Sequence, residues 1–146
     1  FVGEITKVRP QPIQDLLEKN YIPVVSTVAS DRLGNTYNIN GDTAAAHIAG
    51  ALGAERLIMM TDIAGLLRDK DDPSTLIPEI TVDEASKLLL DGTVSGGMIP
   101  KIGCCVEAIS RGVRNVIIMD GRVPHSILME LLTDEGAGTM VTGSHS

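Results

Sequence analysis

The sequence predicts an α/β fold in which a mostly parallel sheet carries helices on both faces. Three observations point there. Short apolar runs of strand character alternate along the chain with stretches of helical periodicity. Two of those runs, residues 22–26 and 56–62, are nearly continuous apolar sequence, as expected of parallel strands buried on both sides. The chain has 146 residues, of which 43% are apolar, enough for one compact domain with a real core. Strand–helix alternation then argues for a mostly parallel sheet with helices on both faces.

Residues 2–8 place apolar side chains at Val2, Ile5 and Val8 and read as a first strand. There is no initiator Met before it, so the expectation is a fragment, or a chain whose front half was removed. Pro10 and Pro12 end this segment, and Pro12 suits a helix start. Ile13, Leu16 and Leu17 give that helix one apolar face, closing near Asn20. Residues 22–26 are the next strand. Asp31-Arg32-Leu33-Gly34-Asn35 reads as a hairpin turn between two short strands, which delivers the chain to Asn38.

Asn38-Ile39-Asn40-Gly41-Asp42 then runs into small, largely apolar residues up to Gly53. Such a run suits a helix packed tightly on most sides, with Gly53 as its stop. Asn40 or Asp42 can cap it by accepting from unpaired first-turn N–H groups. A helix start also attracts anions, so the same polar cluster could hold a charged ligand. Both readings stand at this point.

Residues 56–62 form a buried strand with a polar end at Thr61 and Asp62. Ligands of open α/β sheets bind beyond the carboxyl ends of such strands. Residues 63–67 follow, and 69–73 are a charged, solvated loop. Residues 77–80 are a short extended piece. Thr81 and Glu84 have capping-box spacing ahead of a helix to Leu90, which Asp91-Gly92 stops. Gly96-Gly97 leads into a helix carrying Ile102, Val106 and Ile109 and ending near Gly112. A strand and turn at 115–121, a short helix at 126–132 and a last strand after Gly136 complete the chain, with 143–146 as a frayed end.

The formal net charge of −7 disfavours nucleic acid and anionic membrane as partners. No run of eighteen or more apolar residues occurs, and no signal-peptide pattern is read at Phe1. Cys104 and Cys105 are neighbours in a helical pattern and point apart, so they do not pair with each other, and no zinc-ligand spacing surrounds them. GxGxxG and Walker A loops are both missing. Gly96-Gly97 before a helix with Lys101 in its first turn is a weaker phosphate-binding arrangement. It reads equally as a flexible loop followed by an exposed lysine. Asp42 and Asp62 stand at element junctions, as caps or as acids near a phosphate site. His47 reads as packed or surface, and His125 and His145 form no constellation. No Ser/His/Asp motif is present.

Together, Asn-Ile-Asn-Gly-Asp (38–42), Leu-Ile-Met-Met-Thr-Asp-Ile-Ala-Gly-Leu-Leu (57–67), Gly-Gly-Met-Ile-Pro-Lys (96–101) and Gly-Ala-Gly-Thr-Met (136–140) resemble the C-terminal half of the N-acetyl-L-glutamate kinase family. This is one of the amino acid kinases, and the details resemble its plant, algal and cyanobacterial members. The resemblance runs from Phe1 to Thr142. It implies a three-layer α/β/α sandwich whose residues 1–142 are the nucleotide-binding part, the N-terminal substrate-binding half being absent. It implies transfer of the γ-phosphoryl of ATP, with Mg²⁺, to the side-chain carboxylate of N-acetyl-L-glutamate in arginine biosynthesis. By motif match, Asp42 organises the catalytic lysines and Lys101 stabilises charge on the leaving side. Asn38 and Asn40 fall on the substrate side, Asn38 holding the α-carboxylate. Thr61, Asp62, Gly65, Leu66, Gly97, Met98 and Lys101 fall around the nucleotide, and no residue is assigned as a metal ligand. Glu130 and Gly136 match an arginine site. The implied partners are N-acetyl-L-glutamate, L-arginine as effector, the PII signalling protein and further copies in a homo-oligomer. The implied location is the chloroplast stroma for a plant or algal source and the cytoplasm otherwise. The polypeptide alone is expected to have little or no kinase activity. The alternatives are an isolated non-catalytic nucleotide-binding or regulatory fragment, or another amino acid kinase such as glutamate 5-kinase or carbamate kinase.

Overall fold

The computed structural model describes residues 2–69, 71–94, 96–134 and 136–143. Phe1, Lys70 of the charged loop, and 144–146 of the expected frayed end lie outside the described residues. The elements are α1 (Gln11–Glu18), β1 (Val28–Ser30), β2 (Thr36–Asn38), α2 (Gly41–Leu52), β3 (Arg56–Thr61), β4 (Glu79–Thr81), α3 (Val82–Leu90), α4 (Met98–Ser110), β5 (Asn115–Asp120), α5 (Ser126–Leu132) and β6 (Gly138–Thr142).

The main sheet has the order β3-β5-β6-β4. β3 and β5 are parallel, as are β4 and β6, while β5 and β6 are antiparallel. The sheet is thus mostly parallel, with one reversal at β6. Helices α2, α3 and α4 pack side by side on one face. Most of their buried residues are small: Ala46 and Ala49 of α2, Ala85 of α3, Cys105 and Ala108 of α4, with Ile102 of α4 the large exception. Small side chains let the helix backbones come close to the sheet, which is how a chain with 2% aromatics fills its core. Val116 and Ile118 join that core. Ile117 and Met119 alternate to the opposite face and are buried as well, so β5 is covered on both sides. Below Met119, Ser126 at the start of α5 is buried and its hydroxyl donates to the Asp120 carbonyl.

Local signals behaved as read. Asn40, not Asp42, caps α2 by accepting from Thr43 N–H at 3.1 Å. Gly53 closes that helix with φ +62°. The Thr81–Glu84 capping box is complete. Asp31 accepts from the Leu33 and Asn35 N–H groups and folds the β1–β2 hairpin.

Two expected strands do not form. Residues 2–8 contribute a single bridge, Val2 to Asn38, and run as irregular backbone to Pro10. Their apolar side chains recur every third residue, which is neither the period of a strand nor a match for any neighbour. Residues 22–26 are not buried: Ile22 is 91% and Val24 94% exposed. A strand needs a neighbouring backbone, and the described residues supply none alongside this run.

A candidate phosphoryl-transfer site at the carboxyl ends of β3 and β5

Helices α2 and α4 lie against each other and present their first turns together. Asp42 is in the first turn of α2, where an acid suits the helix dipole. Lys101 is in the first turn of α4. Lys101 Nζ donates to Asp42 Oδ2 at 3.1 Å, and both side chains keep partial access to solvent. Asp42 is therefore held by an ion pair and leaves the capping role to Asn40. Asn40 uses its Oδ1 for Thr43, and its amide N–H groups have no partner among the described residues. Asn38 ends β2 with an exposed side chain.

A cavity of about 360 Å³ opens past the ends of β3 and β5, lined among others by Asp62, Gly65, Leu66, Met98, Asp120 and Arg122; Asp42, Lys101, Asn38 and Asn40 are not among its lining residues. Met98 and Lys101 are three residues apart on α4 and so lie on one face of the helix, which joins the cavity to the ion pair. Thr61 sits at the last position of β3, where its hydroxyl donates to Asp62 Oδ1 at 3.2 Å. Gly97 is the residue before α4. Thr61 and Gly97 flank the cavity and do not line it.

Thr93, Val94, Asp120 and Arg122 line the cavity without having been singled out in the sequence. Thr93 and Val94 come from the loop before α4. Asp120 pairs in register with Thr61, so β3 and β5 end at one level. Its carboxylate accepts from Arg122 Nε at 3.0 Å and Nη2 at 2.9 Å. The Arg122 side-chain hydrogen bonds, then its backbone N–H, hold the Asp120 carboxyl down to about 2. The signal was present in principle, as an acid ending a parallel strand just as Asp62 follows β3, but register links the two and periodicity does not.

Glu130 and Gly136 are together elsewhere. Glu130 Oε2 accepts from Ala137 N–H at 2.7 Å, and Gly136, with φ +68°, lies close to the same oxygen. Neither lines the cavity. Among the described residues there is no group of three or more His, Cys, Asp or Glu placed to hold a metal ion.

A parallel-strand crevice with an acid–lysine pair at two helix starts suits an anionic ligand with several phosphates. In agreement, residues 1–120 match the model of the amino acid kinase family, and the chain belongs to that family. It is 56% identical over 146 residues to the acetylglutamate kinase of Thermosynechococcus vestitus, covering all of this chain and 50% of that protein. It is 52% identical over 143 residues to the chloroplastic acetylglutamate kinase of Arabidopsis thaliana, covering 98% of this chain and 41% of that one. The chain thus spans about half the length of the curated relatives it matches. Among solved structures, N-acetylglutamate synthase from Neisseria gonorrhoeae, complexed with coenzyme A and L-arginine, superposes with a TM-score of 0.88. That match has 28% identity over 97% of this chain and 32% of the synthase. Carbamate kinase from Giardia lamblia shares the fold, with a TM-score of 0.70 and 21% identity over 94% of this chain and 45% of that one. No helix among the described residues is long and apolar enough to cross a membrane.

Proposed function

We propose that this chain is the nucleotide-binding half of an acetylglutamate kinase. The side-chain carboxylate of N-acetyl-L-glutamate attacks the γ-phosphorus of ATP, an acyl phosphate forms, and ADP leaves. The observation that carries this reading is the Asp42–Lys101 pair at the starts of α2 and α4, one turn of α4 from Met98, which lines the cavity at the ends of β3 and β5. The names of the relatives at 52% and 56% identity support the acceptor and its place in arginine biosynthesis.

Phosphoryl transfer needs mainly positioning and neutralisation of charge spread over oxygens. Lys101 supplies a cation at a helix start, where it balances charge growing on the leaving phosphate. Asp42 keeps that cation aimed and has no proton to remove, because the attacking carboxylate is already ionised. Asn38 and the free amide N–H groups of Asn40 are donors for the substrate carboxylates. Asp62, Gly65, Leu66 and Met98 line the nucleotide's slot, flanked by Thr61 and Gly97. Mg²⁺ would arrive with ATP and neutralise part of the charge on its phosphates.

The regulatory reading assigns the Glu130–Gly136 corner to L-arginine, supported by the shared fold with a synthase solved with L-arginine. PII, a homo-oligomeric assembly and a chloroplast stromal location belong to the same plant-like and cyanobacterial-like reading.

The test adds this chain to a polypeptide supplying the N-terminal half of the Thermosynechococcus vestitus relative. ADP release is then followed with N-acetyl-L-glutamate, L-glutamate or carbamate as acceptor. Turnover with the first alone supports the reading; a preference for another acceptor, or none with any, overturns it. This chain by itself is expected to give little or no turnover, and a normal rate from it alone would contradict the division of labour.

A further inference from the structure

Thr139 stands in the last of the quoted motifs, and no role is read for it there. It is fully buried in β6. Its Oγ1 accepts from Leu66 N–H at 2.8 Å and donates to the Ile77 carbonyl at 2.6 Å. Leu66 and Ile77 are joined to each other as well, since Ile77 N–H donates to the Leu66 carbonyl at 2.8 Å. Leu67 and Leu76 then form an antiparallel bridge. One hydroxyl thus ties together the segment leaving β3, the segment entering β4, and β6. Gly65 rests directly on it: with φ +148°, an added Cβ would stand 2.6 Å from Thr139 Oγ1. A threonine hydroxyl has one proton to donate and lone pairs to accept, and both functions are used here. Leu66 is 1% exposed, so water has no room to replace the hydroxyl.

We propose that Thr139 is a positioning residue for the nucleotide. It fixes residues 62–67, whose Asp62, Gly65 and Leu66 line the cavity, in the shape that receives the ligand. Thr139 itself is not among the lining residues and acts through this segment. The proposal rests on the reading of the cavity as a nucleotide site. It gives the final strand a task distinct from the Glu130–Gly136 corner that leads into it.

The test compares Thr139→Ser, Thr139→Ala and Thr139→Val in the full 146-residue chain. Ser and Ala differ only in the hydroxyl, so that pair remains decisive if the Val chain does not fold. Two readouts are taken: amide hydrogen exchange at Leu66 against Val116–Ile118 of β5, and titration with Mg·ADP. Without the hydroxyl, Leu66 exchange is expected to quicken by about tenfold or more, with β5 protection retained. ADP affinity is expected to weaken by about tenfold, and Ser to preserve both properties. Unchanged Leu66 protection overturns the proposal, and so does a loss shared equally by β5, which marks plain core destabilisation. A freed Leu66 with unaltered ADP affinity overturns the positioning role. A wild-type chain that binds no ADP sinks the nucleotide reading of the cavity, and Leu66 exchange alone then decides whether Thr139 fixes the segment.

Discussion

Lys101 reaches across from α4 to put its ammonium 3.1 Å from a carboxylate oxygen of Asp42, 59 residues earlier in the chain. Each helix start would otherwise present an isolated charge. The pair is part-buried with partial access to solvent, and the proposed reading gives it the task of aiming a cation more than of holding the fold. Asp42→Asn and Lys101→Met are expected to lower kcat of the reassembled kinase by about 10²–10³-fold. Stability is expected to change by about 1 kcal/mol or less, as for partly exposed pairs. ADP-release kinetics beside thermal melts of each variant check both halves of this statement. A large drop in melting temperature with kcat preserved would make the pair structural.

Asn40 offers a separation of cap from ligand. Asn40→Ala removes the acceptor for Thr43 N–H and is expected to cost about 1 kcal/mol. Asn40→Asp caps as well as asparagine does, so stability stays. It also sets a negative charge where the substrate carboxylate is proposed to lie, and the KM for N-acetyl-L-glutamate should rise by about tenfold. Denaturant melts and initial rates on the two variants distinguish the roles. An unaltered KM in the Asp variant would leave Asn40 as a cap alone.

How much of this was legible depends on how local the cause is. The α2 start, the Thr81–Glu84 box and the Gly53 stop are written within a few residues, and they formed as read. Strand status is not local. Residues 22–26 have strand composition, yet Ile22 and Val24 stand in solvent because strand formation is decided by a neighbour. The reversal of β6 against β5 is likewise a matter of how one connection returns. In the candidate site, spacing alone left Lys101 undecided between phosphate ligand and exposed lysine; the motif order drew it together with Asp42. Asp120 and Thr139 escaped because their partners follow from register and from contacts such as the 73-residue separation between Thr139 and Leu66.

The two thiols should react very differently. Burial pushes Cys105 up to about 12, and burial also raises Cys104, which is only half-buried. The thiolate is the reacting form, so at pH 8 both are slow and Cys105 is inert. Iodoacetamide on the folded chain is expected to give a single, slow adduct at Cys104, with the second appearing only in denaturant. Intact mass with peptide mapping reads this directly. Rapid double labelling under native conditions would mean that α4 opens far more readily than its packing implies.

Gly65 is expected to tolerate no side chain. Its φ of +148° is rarely adopted by residues with a Cβ, and that atom would press on Thr139 Oγ1, Leu76 Cδ1 at 2.9 Å and Thr139 N at 3.1 Å. Two of those three atoms are a backbone nitrogen and a hydroxyl held by two hydrogen bonds, and neither can step aside. Gly65→Ala should therefore destabilise the chain by about 1–3 kcal/mol and weaken nucleotide binding. Gly34→Ala is the control: it also has positive φ, at +84°, but open space around it, so strain without collision. Comparable losses in the two variants by denaturant melts would assign the whole effect to φ.

Asp120 and Arg122 make the pH dependence of the cavity mouth specific. The folded pKa of Asp120, about 2, lies below its ordinary 3.8, and the Arg122 hydrogen bonds are the first cause. A depressed acid contributes stability that is whole above the unfolded pKa and disappears as pH falls through the folded one. The pair should therefore act fully above about pH 4 and be lost between there and about pH 2. Arg122→Gln takes away the guanidinium while Asp120 keeps the Arg122 backbone donor, so the carboxyl should climb back most of the way toward 3.8. Carboxyl-carbon NMR titration of Asp120 in both chains measures this. The Arg122 guanidinium is held above its ordinary pKa mainly by its hydrogen bonds to Asp120 and by the Asp120 charge, and the Asp62 charge raises it a little further. Its loss leaves acids on a surface proposed to receive phosphates, and ADP affinity should fall at pH 7 by more than at pH 3, where Asp120 of the variant is largely protonated. Equal losses at the two pH values would show that Arg122 contacts the nucleotide directly and that screening Asp120 is not its task.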